Sequence, residues 1–222
     1  MRVRFPPRAQ LMQAKEADRK LLMANVLSAI EEGCWEFLGP NNQHCYCSDK
    51  RVNTKKMIEQ RQRWLESLTN LVLESSSAGL VGKVHGDNIH WMQGIQEVFD
   101  KKEVELPVTE LGFDDQTQQW GFPLNRYQPG SRVTIFQDIT TTGNYLTRLQ
   151  RFVEHRGLCV DRMVSLVNRN PEQMEEISGV SYASVLHFPM PLYGRSRYLD
   201  RCQCPRFDYY GACITDRSQL LS

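Results

Sequence analysis

The sequence predicts an α/β fold, and two observations carry the prediction. The second half of the chain reads strand, helix, strand, helix, strand, the order of a parallel sheet with crossover helices. The 222 residues, 41% of them hydrophobic, also suffice for one sizeable core. No apolar run approaches the roughly 18 residues that cross a bilayer, and 27 Lys and Arg residues nearly cancel 26 Asp and Glu residues. Neither a membrane nor nucleic acid is therefore expected as a partner. The basic start, "MRVRFPPRAQ", has no apolar stretch of signal-peptide length behind it, so the chain reads as cytoplasmic.

Taken in order, residues 1–10 read as a disordered arm because adjacent prolines and three arginines precede the first periodic segment. From about residue 11 to 32, Leu22, Val26, Ala29 and Ile30 recur at helical spacing, and Gly33 stops the pattern. "CWEFLGPNNQHCYCSDK" reads as two short strands around a Gly-Pro-Asn-Asn turn. Thr54 is a candidate cap for a helix carrying Met57, Ile58, Trp64, Leu65 and Leu68 on one face. "LVLESSSAGLVG" reads as a short strand running into a small-residue loop, and "NIHWMQGIQEVFDKK" as a helix. "VELPVTEL" reads as a strand demoted towards an edge by Pro107.

The later elements are more regular. "RVTIF" is a strand, and "NYLTRLQRFVEHRG" is a helix with Leu146, Leu149, Phe152 and Val153 inward and Gly157 as its stop. "VDRMVSLV" is a strand, a helix is expected from about residue 171 to 177, and "VSYASVLHF" is the final strand. The chain shows neither an internal repeat nor a low-complexity tract.

Seven cysteines suggest reduced thiols or metal ligands rather than a disulfide framework in a reducing compartment. Cys45 and Cys47 form one cluster, and Cys202, Cys204 and Cys213 form a second; either could supply zinc thiolates, although the spacing is not C-x-x-C. His44 reads as a turn histidine, and His85 and His90 are five apart, not the i, i+4 spacing of two ligands on one helical face. The four tryptophans and the "FDYYG" aromatics read as packing or interface residues. Arg195, Arg197 and Arg201 form a local basic cluster on a surface turn.

The chemistry concentrates in "VTIFQDITTTGNYL", residues 133–146. Residues 139–143 fall at the C-terminal end of a parallel strand, just before a helix N-terminus, which is where open α/β sheets bind ligands. Such a terminus offers unsatisfied N–H groups and partial positive charge, and Thr and Gly let an anion approach them. A phosphate fits this chemistry. Asp138 would repel that phosphate, so it suits ligand hydroxyls or a hydrated cation instead. The plainer alternative is that the threonines only cap the helix.

The same stretch resembles the phosphoribosyl-pyrophosphate signature of the type I phosphoribosyltransferases: an apolar strand, a place for paired acids, then a small-residue loop ending Thr-Thr-Gly. The resemblance extends to the orotate phosphoribosyltransferase branch, because "NVLSAIEEGCWEFLGPNNQHCYCSDKRVNTKKMIEQ" is similar to its N-terminal helix, hood hairpin and following helix. "VDRMVSLVNRN" is similar to the family's next core strand, which often ends in an acid or Asn followed by Arg. Covering roughly residues 20–190, it implies a phosphoribosyltransferase-like parallel sheet flanked by helices with a small N-terminal hood; the domain is read as residues 11–195, and residues 196–222 as a Cys-rich tail outside the resemblance.

The resemblance implies that Thr140, Thr141, Thr142, Gly143 and Asn144 cradle a 5′-phosphate, and that Gln137 and Asp138 face the ribose hydroxyls. Asp138 is the candidate catalytic residue, and Ser75, Ser76, Ser77 and Gly79, with Lys83, are candidates for a pyrophosphate loop. The implied ligands are phosphoribosyl pyrophosphate or a nucleotide and a nitrogen base, with magnesium carried on the pyrophosphate and a homodimer as the assembly. This chain departs from the pattern at three places. Gln137 stands where the family has an acid, and "GFDDQTQQWGFPLNRYQ" holds Arg126 as its only cation where the orotate branch has a Lys- and Arg-rich loop. An aromatic pair for the base is replaced by Tyr46 alone. Phosphoribosyl transfer, a ribose-phosphate-binding domain without turnover and a zinc-stabilised interaction module all stay open.

Overall fold

The computed structural model describes residues 8–38, 45–83, 88–114, 119–121, 126–170 and 172–194. The tail cysteines Cys202, Cys204 and Cys213, the Arg195–Arg197–Arg201 cluster, His44 and His85 lie outside the described residues.

Helix α1 (Arg8–Ser28) leads into strands β1 (Ile30–Leu38) and β2 (Cys45–Val52), which pair antiparallel as the sequence suggests. A 3-10 helix (Thr54–Gln60), α2 (Arg61–Leu73), β3 (Leu80–Lys83), α3 (Asn88–Lys101) and β4 (Val108–Asp114) follow. Then come β5 (Gln119–Gly121), β6 (Arg132–Thr140), α4 (Asn144–His155) and β7 (Cys159–Asn168). The chain ends its described part with β8 (Glu176–Ile177), β9 (Val180–His187) and β10 (Tyr193–Gly194).

A seven-stranded sheet runs in the order β5-β4-β3-β6-β7-β9-β8. Its central strands β4, β3, β6, β7 and β9 are parallel, while β5 and β8 close the edges antiparallel. The chain moves outward from β3 to β4 on one side and from β6 to β7 on the other, so the direction of winding reverses between β3 and β6. A second, three-stranded sheet, β1-β2-β10, forms the hood, and β10 brings the chain back to β2 after the core is complete.

Two apolar clusters explain the layers. Leu22 and Val26 of α1, Trp64, Leu65 and Leu68 of α2, and Trp91, Ile95 and Phe99 of α3 pack with Phe136, Val164 and Leu186 of the sheet. Leu146, Leu149 and Val153 of α4 pack with Val133, Ile135 and Met163 on the opposite face. Fully burying a side chain of this size contributes about 1.5–3 kcal/mol. Trp64 also donates its indole N–H to Asn25 Oδ1 at 2.7 Å, which satisfies a polar group inside the core.

Several elements differ from the sequence reading. The first helix starts at Arg8, inside the expected arm, and stops at Ser28 rather than at Gly33. Ile30 fits the helical spacing, but its backbone pairs with Val52, and cross-strand pairing overrides periodicity there. Asn53, not Thr54, caps the 3-10 helix, with its side chain accepting from the Lys55 N–H at 3.0 Å. In "LVLESSSAGLVG" the order is reversed: Leu71 to Leu73 finish α2, and the strand follows the serines. Pro107 precedes β4, which lies inside the sheet; its carbonyl accepts from Leu80 N–H at 2.9 Å.

Residues 172–177 form no helix; the connection from β7 to the parallel β9 instead carries β8, which forms an antiparallel hairpin with β9. Ser178 (φ 51°) and Gly179 (φ 80°) are both in the left-handed region, the geometry of a tight turn that reverses β8 onto β9. Ile177 is buried against α4 and its neighbours, which fixes the register of that short edge.

Candidate functional site

Strand β6 carries the site to the C-terminal edge of the sheet. Its apolar residues Val133, Ile135 and Phe136 are buried, and the strand continues four residues beyond "RVTIF" to Thr140. Thr141 to Gly143 then form the turn into α4. Gly143 is the N-cap residue at φ 75°, ψ −4°, a left-handed conformation that side chains with a Cβ adopt only at a cost. A Cβ at this position would also approach Ile177 Cγ2 to 3.2 Å.

Neighbouring segments hold the turn by its carbonyls. Arg169 N–H donates to Thr140 O at 2.9 Å, and Asn170 Nδ2 donates to Thr141 O at 2.8 Å. Helix α4 begins with Thr147 N–H donating to Gly143 O at 2.9 Å. Gly143 offers no side chain to cap this helix, Thr142 Oγ1 accepts from Asn144 N–H at 3.4 Å, and the first turn contains no acid. Its N-terminus is thus electropositive, with N–H groups directed outward from the sheet edge.

A cleft of about 330 Å³ opens over this turn. Its lining includes Gln137, Thr141, Thr142, Gly143, Asn144 and Tyr145 from the β6–α4 region. Arg51 and Val52 enter from the hood and Arg169 from the end of β7. Among the described residues, two arginines and no acid line the cleft, a lining suited to an anion. Gln137 is half-buried, and its Oε1 is buried without a hydrogen-bond partner. Such an acceptor is suited to a ligand hydroxyl.

Both arginines are held in place. Arg169 is only 1% exposed and donates from Nη2 to Ser48 Oγ at 2.9 Å, which ties the sheet to the hood. Arg51 Nε lies 2.8 Å from Glu31 Oε2 across the β1–β2 pair. Glu31 also accepts from Asn53 Nδ2 at 2.8 Å and pairs with Lys56 at 3.2 Å. The Asn53 hydrogen bond first, then those of Arg51 and Lys56, hold the Glu31 carboxyl at a pKa of about 2, against an ordinary value of 4.5. Beneath the turn, Tyr182 OH and Ser165 Oγ are 2.6 Å apart. Burial pushes the Tyr182 phenol up, although hydrogen bonds to Ser165, Thr140 and Ser184 oppose the shift.

The structure brings Gln137, Thr141, Thr142, Gly143 and Asn144 together around the cleft, while Asp138 and Thr140 fall outside its lining. Asp138 Oδ2 accepts from Thr54 Oγ1 at 2.9 Å, and its Oδ1 accepts from Ile139 N–H at 2.8 Å. Ser75, Ser76, Ser77 and Gly79 do not join the site. They precede β3 at the N-terminal edge of the sheet, roughly 20 Å from Thr140 along β6. There Ser77 Oγ lies 2.7 Å from Thr134 Oγ1, and Ser76 N–H donates to Asp161 Oδ2 at 3.1 Å. Lys83 ends β3, and residues 84–87, which follow it, lie outside the described residues.

Arg126 is exposed, and part of its segment forms the β4–β5 hairpin, with Gly112 opposite Gly121. Among the described residues no group of three or more His, Cys, Asp or Glu side chains could hold a metal ion. Sequence reasoning missed Arg51 and Tyr145. Arg51 reaches the cleft through strand pairing with a residue 20 positions away, which no local pattern encodes. Arg169 had a partial signal in the "NRN" that ends β7.

No family model and no curated protein matches the sequence. Solved structures do. Orotate phosphoribosyltransferase from Aeropyrum pernix superimposes with a TM-score of 0.52 at 16% identity, covering 82% of this chain and 96% of its own. A phosphoribosyltransferase from Corynebacterium diphtheriae gives 0.54 at 17% identity, covering 77% and 96%. Adenine phosphoribosyltransferase from Thermoanaerobacter pseudethanolicus gives 0.52 at 13% identity, covering 75% and 99%. The chain has the fold of the type I phosphoribosyltransferases, as the sequence resemblance implies.

Proposed function

We propose that this protein binds a phosphoribosyl compound at the β6–α4 turn and transfers the phosphoribosyl group to or from a nitrogen base. The observation that carries this reading is the left-handed Gly143 opening a helix N-terminus with no acid in its first turn, at the reversal point of the sheet. That geometry suits a 5′-phosphate seated among Thr141, Thr142, Gly143 and Asn144. With the phosphate there, the ribose lies towards Gln137, whose unpartnered Oε1 accepts from a ring hydroxyl, and towards the adjacent Asp138. Arg51 and Arg169 supply positive charge on the far side of the cleft.

In the transfer, a ring nitrogen of the base forms a bond to C1′ as the C1′–O bond to pyrophosphate breaks, and both electrons of that bond leave with the pyrophosphate. The chain's contribution is positioning and electrostatic stabilisation. In this reading magnesium is carried by the pyrophosphate oxygens rather than by a protein cage.

Gln137 favours a second reading. Where an acid is replaced by an amide, the charge opposite the oxocarbenium-like centre falls, and a domain that binds ribose phosphate without turnover results. Incubation with phosphoribosyl pyrophosphate, magnesium and a panel of purine and pyrimidine bases separates the two. Base-dependent release of pyrophosphate is the expected result; saturable binding with no release for any base would leave the binding-domain reading.

A further inference from the structure

We propose that Thr54 is a positioning residue for Asp138, locking the carboxylate that faces the ribose and coupling the hood to the sugar site. The inference rests on the phosphoribosyl reading above and assigns a role within that site. Thr54 is 4% exposed and its hydroxyl donates to Asp138 Oδ2 at 2.9 Å, across 84 residues of sequence. The other carboxylate oxygen accepts from Ile139 N–H at 2.8 Å. These two donors, one on each oxygen, set the plane of the carboxylate.

The position of Thr54 is itself over-determined. Asn53 N–H donates to Ala29 O at 2.9 Å, Asn53 Nδ2 donates to Glu31 Oε1 at 2.8 Å, and Asn53 Oδ1 accepts from Lys55 N–H at 3.0 Å. Glu31 in turn holds Arg51 of the cleft at 2.8 Å. Hydrogen bonds thus link the cleft arginine to Glu31 and Asn53, and the Asn53–Thr54 peptide bond joins them to the Thr54–Asp138 pair. Thr54 is β-branched, so its hydroxyl has few rotamers to choose from once its backbone is fixed. The phosphate turn is held from the other side, where Arg169 N–H donates to Thr140 O and Asn170 Nδ2 to Thr141 O.

The separation gives a test that a merely structural role would not pass. Ribose 5-phosphate and inorganic phosphate are titrated calorimetrically into the full-length protein and into Thr54→Val, Thr54→Ser, Asp138→Asn and the Thr54→Val/Asp138→Asn pair. Thr54→Val is expected to weaken ribose 5-phosphate by about tenfold, the range of a lost hydrogen bond to a charged group, and to leave inorganic phosphate unchanged. Thr54→Ser, which keeps the hydroxyl, restores ribose 5-phosphate affinity. Adding Thr54→Val to Asp138→Asn costs nothing further, because the two act as one unit. Loss of both ligands to the same extent, loss of neither, or additive losses in the pair would overturn the positioning role. Should the unaltered protein bind neither ligand, the phosphoribosyl reading falls and this inference with it.

Discussion

Gly143 and Thr141 set the character of the site at the scale of single residues. Gly143→Val would place a β-branched side chain at φ 75° and drive its Cβ against Ile177. Thr141→Asp would put a carboxylate into a cleft whose described lining holds two arginines and no acid, where it competes with an anionic ligand. Both variants are expected to abolish ribose 5-phosphate binding in a calorimetric titration while retaining a cooperative thermal transition; retained binding in both would remove the phosphate role of the turn. The turn was legible in sequence because its chemistry is contiguous, five small or polar residues between an apolar strand and an amphipathic helix. Arg51 was not, since its approach to the cleft depends on the β1–β2 register. Gly79 belongs to this scale too, in a structural role. A Cβ there would fall on the Tyr127 ring, which is buried and hydrogen-bonded to Thr109 at 2.8 Å. Gly79→Ala is expected to destabilise the protein by about 1–3 kcal/mol through overpacking, measured by chemical denaturation.

Among the elements, the hood depends most on charge. Glu31 gathers Arg51, Asn53 and Lys56 at the junction of β1, β2 and the 3-10 helix. Its carboxyl is held at about 2 rather than 4.5, so folding stabilises its ionised form. The contribution is therefore fully present above pH 4.5 and is lost as the pH falls towards 2. Melting temperature followed across that window should fall steeply for the natural protein and less steeply for Glu31→Gln, which starts lower at neutral pH. Parallel curves for the two would show that another group carries the acid sensitivity. The helix expected near residues 171–177 failed for a related reason of scale: Met174 and Ile177 look periodic, but Ser178 and Gly179 at positive φ turn the chain into a hairpin before a helix can form.

For the molecule as a whole, two apolar clusters on either face of one sheet account for the α/β class that alternation of strands and helices announced. Strand order was legible only in part. Periodicity marks a strand, yet it does not say that β3 lies between β4 and β6, nor that the serines before β3 sit at the edge remote from Thr141. That reversal between β3 and β6 is what places the β6–α4 turn at the crevice of the sheet, beneath the hood arginine. The central claim is that this crevice holds the phosphate of a phosphoribosyl compound. Its most direct test is a calorimetric titration of phosphoribosyl pyrophosphate with magnesium into the natural protein and Thr141→Asp in parallel. Saturable binding to the natural protein that disappears in the variant is the predicted result; heat-silent titration of the natural protein, or equal binding to both, would contradict it.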